Sequence, residues 1–595
     1  MHDDAALLDR FLSAPAAALP SYAADGRLYF LNDVAGSAQV WEMPPGGAPR
    51  PRTAHRDAVG FVAGSPADGG AVFGRDAAGD ERVQLYRLPP EGEPRALTAA
   101  PKVMHGWGGF APGGQRVGVT ANARDPAHAD PCVIDLADGA MRRVGQVLGP
   151  HEWAAWHPDG TSMLLASAPH HYEATLSRVV LATGERTDAT PGGAGWRHLV
   201  PRWRKDGAGF WLATDRGRDF LGLAWMAPGG EPRFLHAPDA DVERLEPSPD
   251  QRLLAITVNL GGWSQLRLLE AESGAVVAEP AHPPGVIQKI TWRPDGKAIA
   301  FDLLQPTRPG TIWTVPTDGS PAALLFAAGD APADARAWQE DSFVAHDGTE
   351  IPTFMIRPDG EAPPGGWPVL VWVHGGPEAQ ALPNWRPDLQ AICALRIAVM
   401  VPNIRGSTGY GRAYTALDDR ELRMDAVRDL ASAHAWLASQ GEFDARRIAV
   451  MGQSYGGWMT LMAVTHFPDL WAAGVEYYGI ARWKTFFERT GPWRVGHRAA
   501  EYGDPVRDAD LLEALSPLHK ADAISCPLFV AQGLTDPRVP PQESEQIVAA
   551  LRRHGIPVEY VTFPDEGHGF LKRDNRRAAY FGVMAFLSRH LLDRR

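Results

Sequence analysis

Hydrophobic and polar residues alternate in short runs through the first half of the chain, and the alternation restarts at a nearly fixed interval. Each restart consists of an aromatic or a proline, a turn centred on Asp-Gly, and an apolar alternating stretch. The copies read YAADGRLYFLND, GSPADGGAVFGRD, FAPGGQRVGVTAN, WHPDGTSMLLAS, WRKDGAGFWLATD, PSPDQRLLAITVN and WRPDGKAIAFDLL. With Gly26, Gly69, Gly114, Gly160, Gly207, Gln251 and Gly296 as markers, the steps are 43, 45, 46, 47, 44 and 45 residues. Period-two alternation reads as strand, and Asp-Gly tolerates the positive φ of a tight turn. Further strand-like runs follow inside the copies, such as GTIWTVPTDG after the last. Units of about 40–50 residues with several short strands are propeller blades. The pattern therefore predicts a seven-bladed β-propeller over residues 19–330, with a strand solenoid as the less favoured competitor. Trp156, Trp203 and Trp292 recur at the repeat period and read as packing between blades. Adjacent strand residues point to opposite faces, so His170-His171 reads as part of a solvated loop, not a ligand pair.

Near residue 330 the period changes. An Ala/Pro/Asp-rich connector, AAGDAPADARAW, leads into DSFVAHDGTEIPTFMIRPDG, a hairpin pattern around Asp347-Gly348. After it, continuous apolar runs (WPVLVWVHGG, IAVMVPNIRGS, RRIAVMG, CPLFVAQG, VEYVTFP) alternate with segments of helical spacing, among them ELRMDAVRDLASAHAWLASQG, which Gly441 closes. Such alternation predicts a mostly parallel, doubly wound sheet over residues 331–595. Residues 1–18 are expected to form a helical extension packing on that second domain.

One turn in this region has an unusual make-up. Gly452-Gln453-Ser454-Tyr455-Gly456 lies where an apolar strand gives way to an apolar helix, the context of a nucleophile elbow, whose sharp turn leaves no room for a Cβ at the flanking positions. The motif alone is weak, but it occurs once and in the required place. A serine hydroxyl needs a base, and the base needs an orienting acid, in the chain order Ser, Asp/Glu, His. Asp536 follows one buried strand in FVAQGLTDPRVP, and His568 follows the next in FPDEGHGF. Asp565 is the main rival acid. Asp469, Asp504 and Asp522, like His466, His497, His519 and His554, lack a strand leading into them. An oxyanion needs pre-aimed donors. The backbone N–H groups of Tyr455 and of Gly376, in VWVHGGPE, suit that task, with His374 bracing the loop.

Together, HGGP at 374–377, NIRGSTGYG at 403–411, GQSYGG at 452–457, DPRVP at 536–540 and GHGF at 567–570, behind an N-terminal propeller, resemble the prolyl oligopeptidase family of serine peptidases. The histidine-led glycine loop is similar to that of its acylaminoacyl-peptidase branch. The resemblance implies an α/β-hydrolase domain whose site faces the propeller, a propeller that screens out large folded substrates, and a substrate-carbonyl contact by Arg538. It also implies short-peptide hydrolysis, best read as release of N-acylated amino acids. Carboxypeptidase-like, dipeptidyl-peptidase-like and esterase activities are the alternatives within the family. The absence of any Glu-Glu dipeptide weakens the dipeptidyl reading. Trp483, Phe486 and Phe487 suggest an apolar primary pocket, and Arg482, Arg489, Arg494 and Arg498 are candidates for a peptide carboxylate. A propeller interaction module carrying a dead hydrolase is the alternative of another class, and an intact Ser, Asp and His in order argues against it.

Composition narrows the rest. The 595 residues suggest two to four domains at about 150 residues each. A net charge of −13 without a Lys/Arg cluster disfavours nucleic acid. MHDDAALLDRFLSAP lacks a basic n-region, no run approaches a membrane span, and three scattered cysteines imply neither disulfides nor a metal knuckle. The expectations are a cytoplasmic enzyme without metal or organic cofactor, acting on short peptides, with homo-oligomerisation plausible through propeller edges.

Overall fold

The computed structural model describes residues 2–192 and 195–592. Among these, seven four-stranded antiparallel sheets follow one another over 17–51, 59–96, 105–143, 152–188, 198–236, 241–278 and 290–326, each built from consecutive strands. They form a seven-bladed β-propeller. The marker residues fall in the turns between the first and second strands of the blades; Gly26, Gly114, Gly160, Gly207 and Gly296 have φ between 68° and 86°. Gln251, which replaces glycine in the sixth copy, holds φ 60°. Its amide explains the tolerance: Oε1 accepts the Lys205 N–H at 2.7 Å and Nε2 donates to the Trp203 carbonyl at 3.0 Å, both on the preceding blade. The tryptophans also bridge blades. Trp156 and Trp292 donate to the carbonyls of Gly109 and Glu246, and His157 meets the Trp203 ring edge-on. The ring closes without a shared blade. The Leu19 N–H donates to Asp302 at 2.9 Å, and Leu28, Phe30, Ala300 and Ile312 pack across the seam.

The second domain holds one eight-stranded sheet. Its strands are β1 (Gln339–Val344), β2 (Glu350–Ile356), β3 (Trp367–Val373), β4 (Ala398–Pro402), β5 (Phe443–Gln453), β6 (Ala473–Tyr477), β7 (Leu528–Gly533) and β8 (Val558–Phe563), in the order β1-β2-β4-β3-β5-β6-β7-β8. The β1–β2 hairpin and the β2–β4 pair are antiparallel, and β3 to β8 run parallel. Every residue of β3, β4, β6 and β7 is buried, as expected of strands covered by helices on both faces. This is the α/β-hydrolase arrangement. The His2–Leu12 helix joins this core rather than the propeller: Leu8, Phe11 and Leu12 are buried in it, and the helix lies against the Pro387–Ala394 and Arg573–Leu591 helices. Among the described residues no helix is long and apolar enough to cross a membrane.

The pair His170-His171 departs from expectation. It sits at the tip of a blade hairpin that enters the domain interface. The His171 side chain is 9% exposed and its Nδ1 lies 2.7 Å from Glu501 of the second domain. Only His170 keeps substantial solvent contact.

Candidate active site

Strand β5 ends at Gln453 and the Tyr455–His466 helix starts two residues later, so Ser454 alone makes the turn. It adopts φ 58° and ψ −119°, a region L-residues enter only when their surroundings force them. The flanking glycines make room for it. A Cβ on Gly452 would stand 2.1 Å from the Gly456 carbonyl oxygen, and one on Gly456 would stand 2.2 Å from that of Val373. The result projects the Ser454 side chain from the carboxyl end of the sheet, at the mouth where open α/β folds build sites.

Two further loops from that end meet it. His568, beyond β8, places Nε2 2.9 Å from Ser454 Oγ. Its Nδ1 lies 2.7 Å from Oδ2 of Asp536, beyond β7. The Asp536 side chain is fully buried and its other oxygen accepts the N–H groups of Arg538 and Val539 at 2.8 and 3.0 Å. That carboxylate is thus fixed in orientation, and Nδ1–H donates to it while Nε2 faces the hydroxyl. The Tyr478 ring covers the imidazole, 4.6 Å between centroids. The rival Asp565 is engaged elsewhere, with Arg56, Lys572 and Asn575.

The loop after β3 packs directly on the elbow: a Cβ on Gly375 would stand 3.0 Å from the Gln453 carbonyl oxygen. His374 is buried and braces this loop, Nδ1 on the Gly375 carbonyl and Nε2 on Ser407 Oγ, both at 2.8 Å. The Gly376 carbonyl accepts the Tyr502 hydroxyl at 3.0 Å and Arg498 at 3.4 Å, while its φ of 134° requires glycine. Tyr455 begins its helix, so its N–H is among the four that find no partner within the helix. The Tyr455 ring is also held: its hydroxyl lies 3.0 Å from Arg423 and 3.2 Å from Asp418.

The aromatic trio is a correction. Trp483 is wholly buried, donates its indole N–H to Leu515, and packs against Trp458 and Tyr502. Phe486 is 2% exposed, and Phe487 faces a cavity of 430 Å³ whose lining includes none of Ser454, Asp536 and His568. Aromatics at helical spacing are core here, not a pocket wall open to substrate. Arg538 stands beside the site but is ion-paired with Glu81, on a propeller loop whose Gly79 abuts Gly567 and whose Ala78 carbonyl accepts Thr535.

Of the arginines, Arg482 pairs with Glu513 at 2.7 Å and Arg498 with Glu378 at 2.8 Å, while Arg489 lies exposed. Arg494 is different. Among the described residues it has no ion-paired carboxylate, and its Nε is buried without a hydrogen-bond partner. Burial, then the nearby Arg498 and Arg538, pull its pKa down to about 10. It lines a cavity of 350 Å³ between the propeller and the second domain, with Trp493, His497, Arg498 and, from the propeller, Glu152. His171, Glu378 and Glu501 bring ligand atoms within 4.8 Å of one another, as do Asp418, Asp419 and Glu501. Arg423 pairs with Asp418 and Glu501, and Arg498 with Glu378, so arginine countercharge reaches three of these four carboxylates. Arg423, Glu501 and Tyr502 carry no motif, and nothing in the sequence singles them out.

Residues 384–594 match the family model described as the prolyl oligopeptidase family. The chain is similar to dipeptidyl aminopeptidase BIII of Pseudoxanthomonas mexicana, 28% identical over 98% of this chain and 88% of that protein. It is also similar to the acylamino-acid-releasing enzyme of Rattus norvegicus, 22% identical over 52% of this chain and 40% of the relative. Among solved structures, a puromycin-hydrolyzing peptidase of Mycobacterium tuberculosis shares the fold, with a TM-score of 0.85 at 22% identity over 98% of this chain and 96% of that one. Residues 384–594 form a peptidase domain of the prolyl oligopeptidase family, and the chain is a serine peptidase.

Proposed function

We propose that this peptidase hydrolyses short peptides through Ser454, and that it releases N-acylated amino acids from their N-termini. Ser454 Oγ attacks the carbonyl while His568 Nε2 takes its proton; Asp536 orients the imidazole and stabilises the imidazolium. The N–H groups of Gly376 and Tyr455 hold the oxyanion. The leaving amine departs with the proton from His568, and water repeats the sequence on the acyl-enzyme. Arg538, freed from Glu81 as substrate enters, takes a peptide carbonyl. The propeller loops pressed against the site limit entry to short chains.

The acylated terminus is supported by one observation. Glu81 and Glu378 are ion-paired with Arg538 and Arg498, whereas Arg494, among the described residues, has no ion-paired carboxylate and its Nε no hydrogen-bond partner. Such a site repels an ammonium group and accepts an acyl oxygen or a carboxylate. Similarity to a dipeptidyl aminopeptidase over 98% of the chain favours a second reading. In that case Glu152, on the wall of the same cavity, takes the free amine. One peptide offered with free, acetylated and amidated ends separates these. Acyl release predicts cleavage of the acetylated form alone, whatever its C-terminus. Cleavage only with a free amine selects the dipeptidyl reading, and loss on C-terminal amidation selects a carboxypeptidase. Turnover of p-nitrophenyl esters without any peptide selects an esterase.

A further inference from the structure

The Pro492–Tyr502 helix touches both sides of the oxyanion site and the propeller at once. Tyr502 and Arg498 donate to the Gly376 carbonyl at 3.0 and 3.4 Å. Glu501, 1% exposed, accepts from Arg423, which donates through Nη1 to the Tyr455 hydroxyl at 3.0 Å and pairs with Asp418 at 2.6 Å. The Arg423 guanidinium lies over the rings of Tyr502 and Tyr455, at 5.0 and 5.3 Å from their centroids. On its other side the helix packs on the Ser162–His170 strand of the propeller. From the hairpin beyond that strand, His171 brings Nδ1 to 2.7 Å from Glu501 Oε2, an ion-pair contact too bent for a straight hydrogen bond.

A buried ion cluster is a weak source of stability, since well-packed apolar side chains of the same volume serve as well. What this cluster does have is connection. It reaches Gly376 through its carbonyl, in the peptide unit that follows the donor N–H, and Tyr455 through its hydroxyl and ring. Oxyanion donors act only when already aimed, and small misplacement is costly. We propose that this helix positions the oxyanion hole through Tyr502, Glu501 and Arg423, and that His171 clamps it from the propeller, so that both donors are aligned only while the two domains are closed. The proposal rests on the reading of Gly376 and Tyr455 as the donors. Tyr502, Glu501, Arg423 and His171 are positioning residues, since none touches the reacting atoms.

The test compares Tyr502→Phe and His171→Gln with the wild type on a p-nitrophenyl ester and on its thiono counterpart, whose sulfur is a poor acceptor for oxyanion donors. Melting temperature and fluorophosphonate labelling of Ser454 are followed in parallel. The expected result for Tyr502→Phe is a fall in kcat of about tenfold on the oxo ester, with KM and the thiono rate changed less than about twofold. His171→Gln should show the same selectivity at about threefold, without loss of fold. Equal losses on both esters, or no loss on either in a folded variant, overturn the proposal. A wild-type enzyme that hydrolyses neither ester and leaves Ser454 unlabelled fails at the reading beneath, and the proposal falls with it.

Discussion

At the scale of the residue, Arg494 separates function from stability most sharply. Its guanidinium is desolvated and lacks a carboxylate, so replacing it removes a cost to the fold along with a donor to the substrate. Arg494→Met is therefore expected to raise the melting temperature while raising KM about tenfold or more for acetylated peptides, with kcat nearly unchanged, since a charged hydrogen bond contributes about 1.5–3 kcal/mol. Unchanged KM in steady-state assays on those peptides would remove Arg494 from the binding site. Legibility at this scale was uneven. Ser454, Asp536 and His568 were readable because each follows a recognisable strand, and chain order alone suggested that they meet. Trp483 was misread because an apolar aromatic in a helix looks the same whether it faces a cavity or a core. His171 was misread because its partner Glu501 is distant in sequence, and period-two alternation says nothing about what covers a hairpin tip.

At the scale of the element, the strand–turn–helix around Ser454 is a strained unit that works only with glycine on either side. Gly452→Ala would put a methyl 2.1 Å from a backbone oxygen that cannot move without shifting the helix. The expected outcome is a loss of several kcal/mol, in keeping with overpacking against backbone, and of nearly all turnover, read by denaturant unfolding and ester hydrolysis. A stable, active Gly452→Ala would mean that the elbow is looser than described. The blades show the opposite case. The glycine turns are common enough to be counted in the sequence, and the one marker that is not glycine, Gln251, is accommodated by two hydrogen bonds to its neighbour blade. Repeat number and strand order were legible because every copy repeats one local rule. The register of the eight-stranded sheet was not, because its order depends on contacts between strands far apart in the chain.

At the scale of the whole molecule, a set of ion pairs joins the propeller and the catalytic domain. Arg538–Glu81, Arg56–Asp565, Lys572–Asp57, Arg412–Asp215 and His171–Glu501 all cross the interface. Burial disfavours the His171 cation, but the pairing with Glu501 and the nearby Glu378 and Asp419 outweigh it and raise its pKa above the ordinary value. A histidine raised in the closed state contributes its clamp in full below about pH 6.5, its unpaired value, and loses it as pH climbs through the higher closed-state value. His497, pulled down to about 4 by burial and then by Arg498, stays neutral across that window, whereas Asp418, pushed up to about 8 by burial, titrates near its top. Protection of the interface from limited proteolysis should therefore decline above about pH 6.5 in the wild type and lose that step in His171→Gln. An identical profile in both would assign the pH response to another group.

The central claim is that a serine, a histidine and an aspartate, carried on three separate loops, act as one nucleophilic unit at the mouth of the catalytic sheet. Peptide-mapped mass spectrometry after fluorophosphonate treatment tests it most directly. The account predicts a single adduct on Ser454 in the wild type, none in Ser454→Ala, and labelling slowed by a factor on the order of 10³ or more in His568→Ala. An adduct at another residue, or equal labelling of Ser454 without His568, would contradict it.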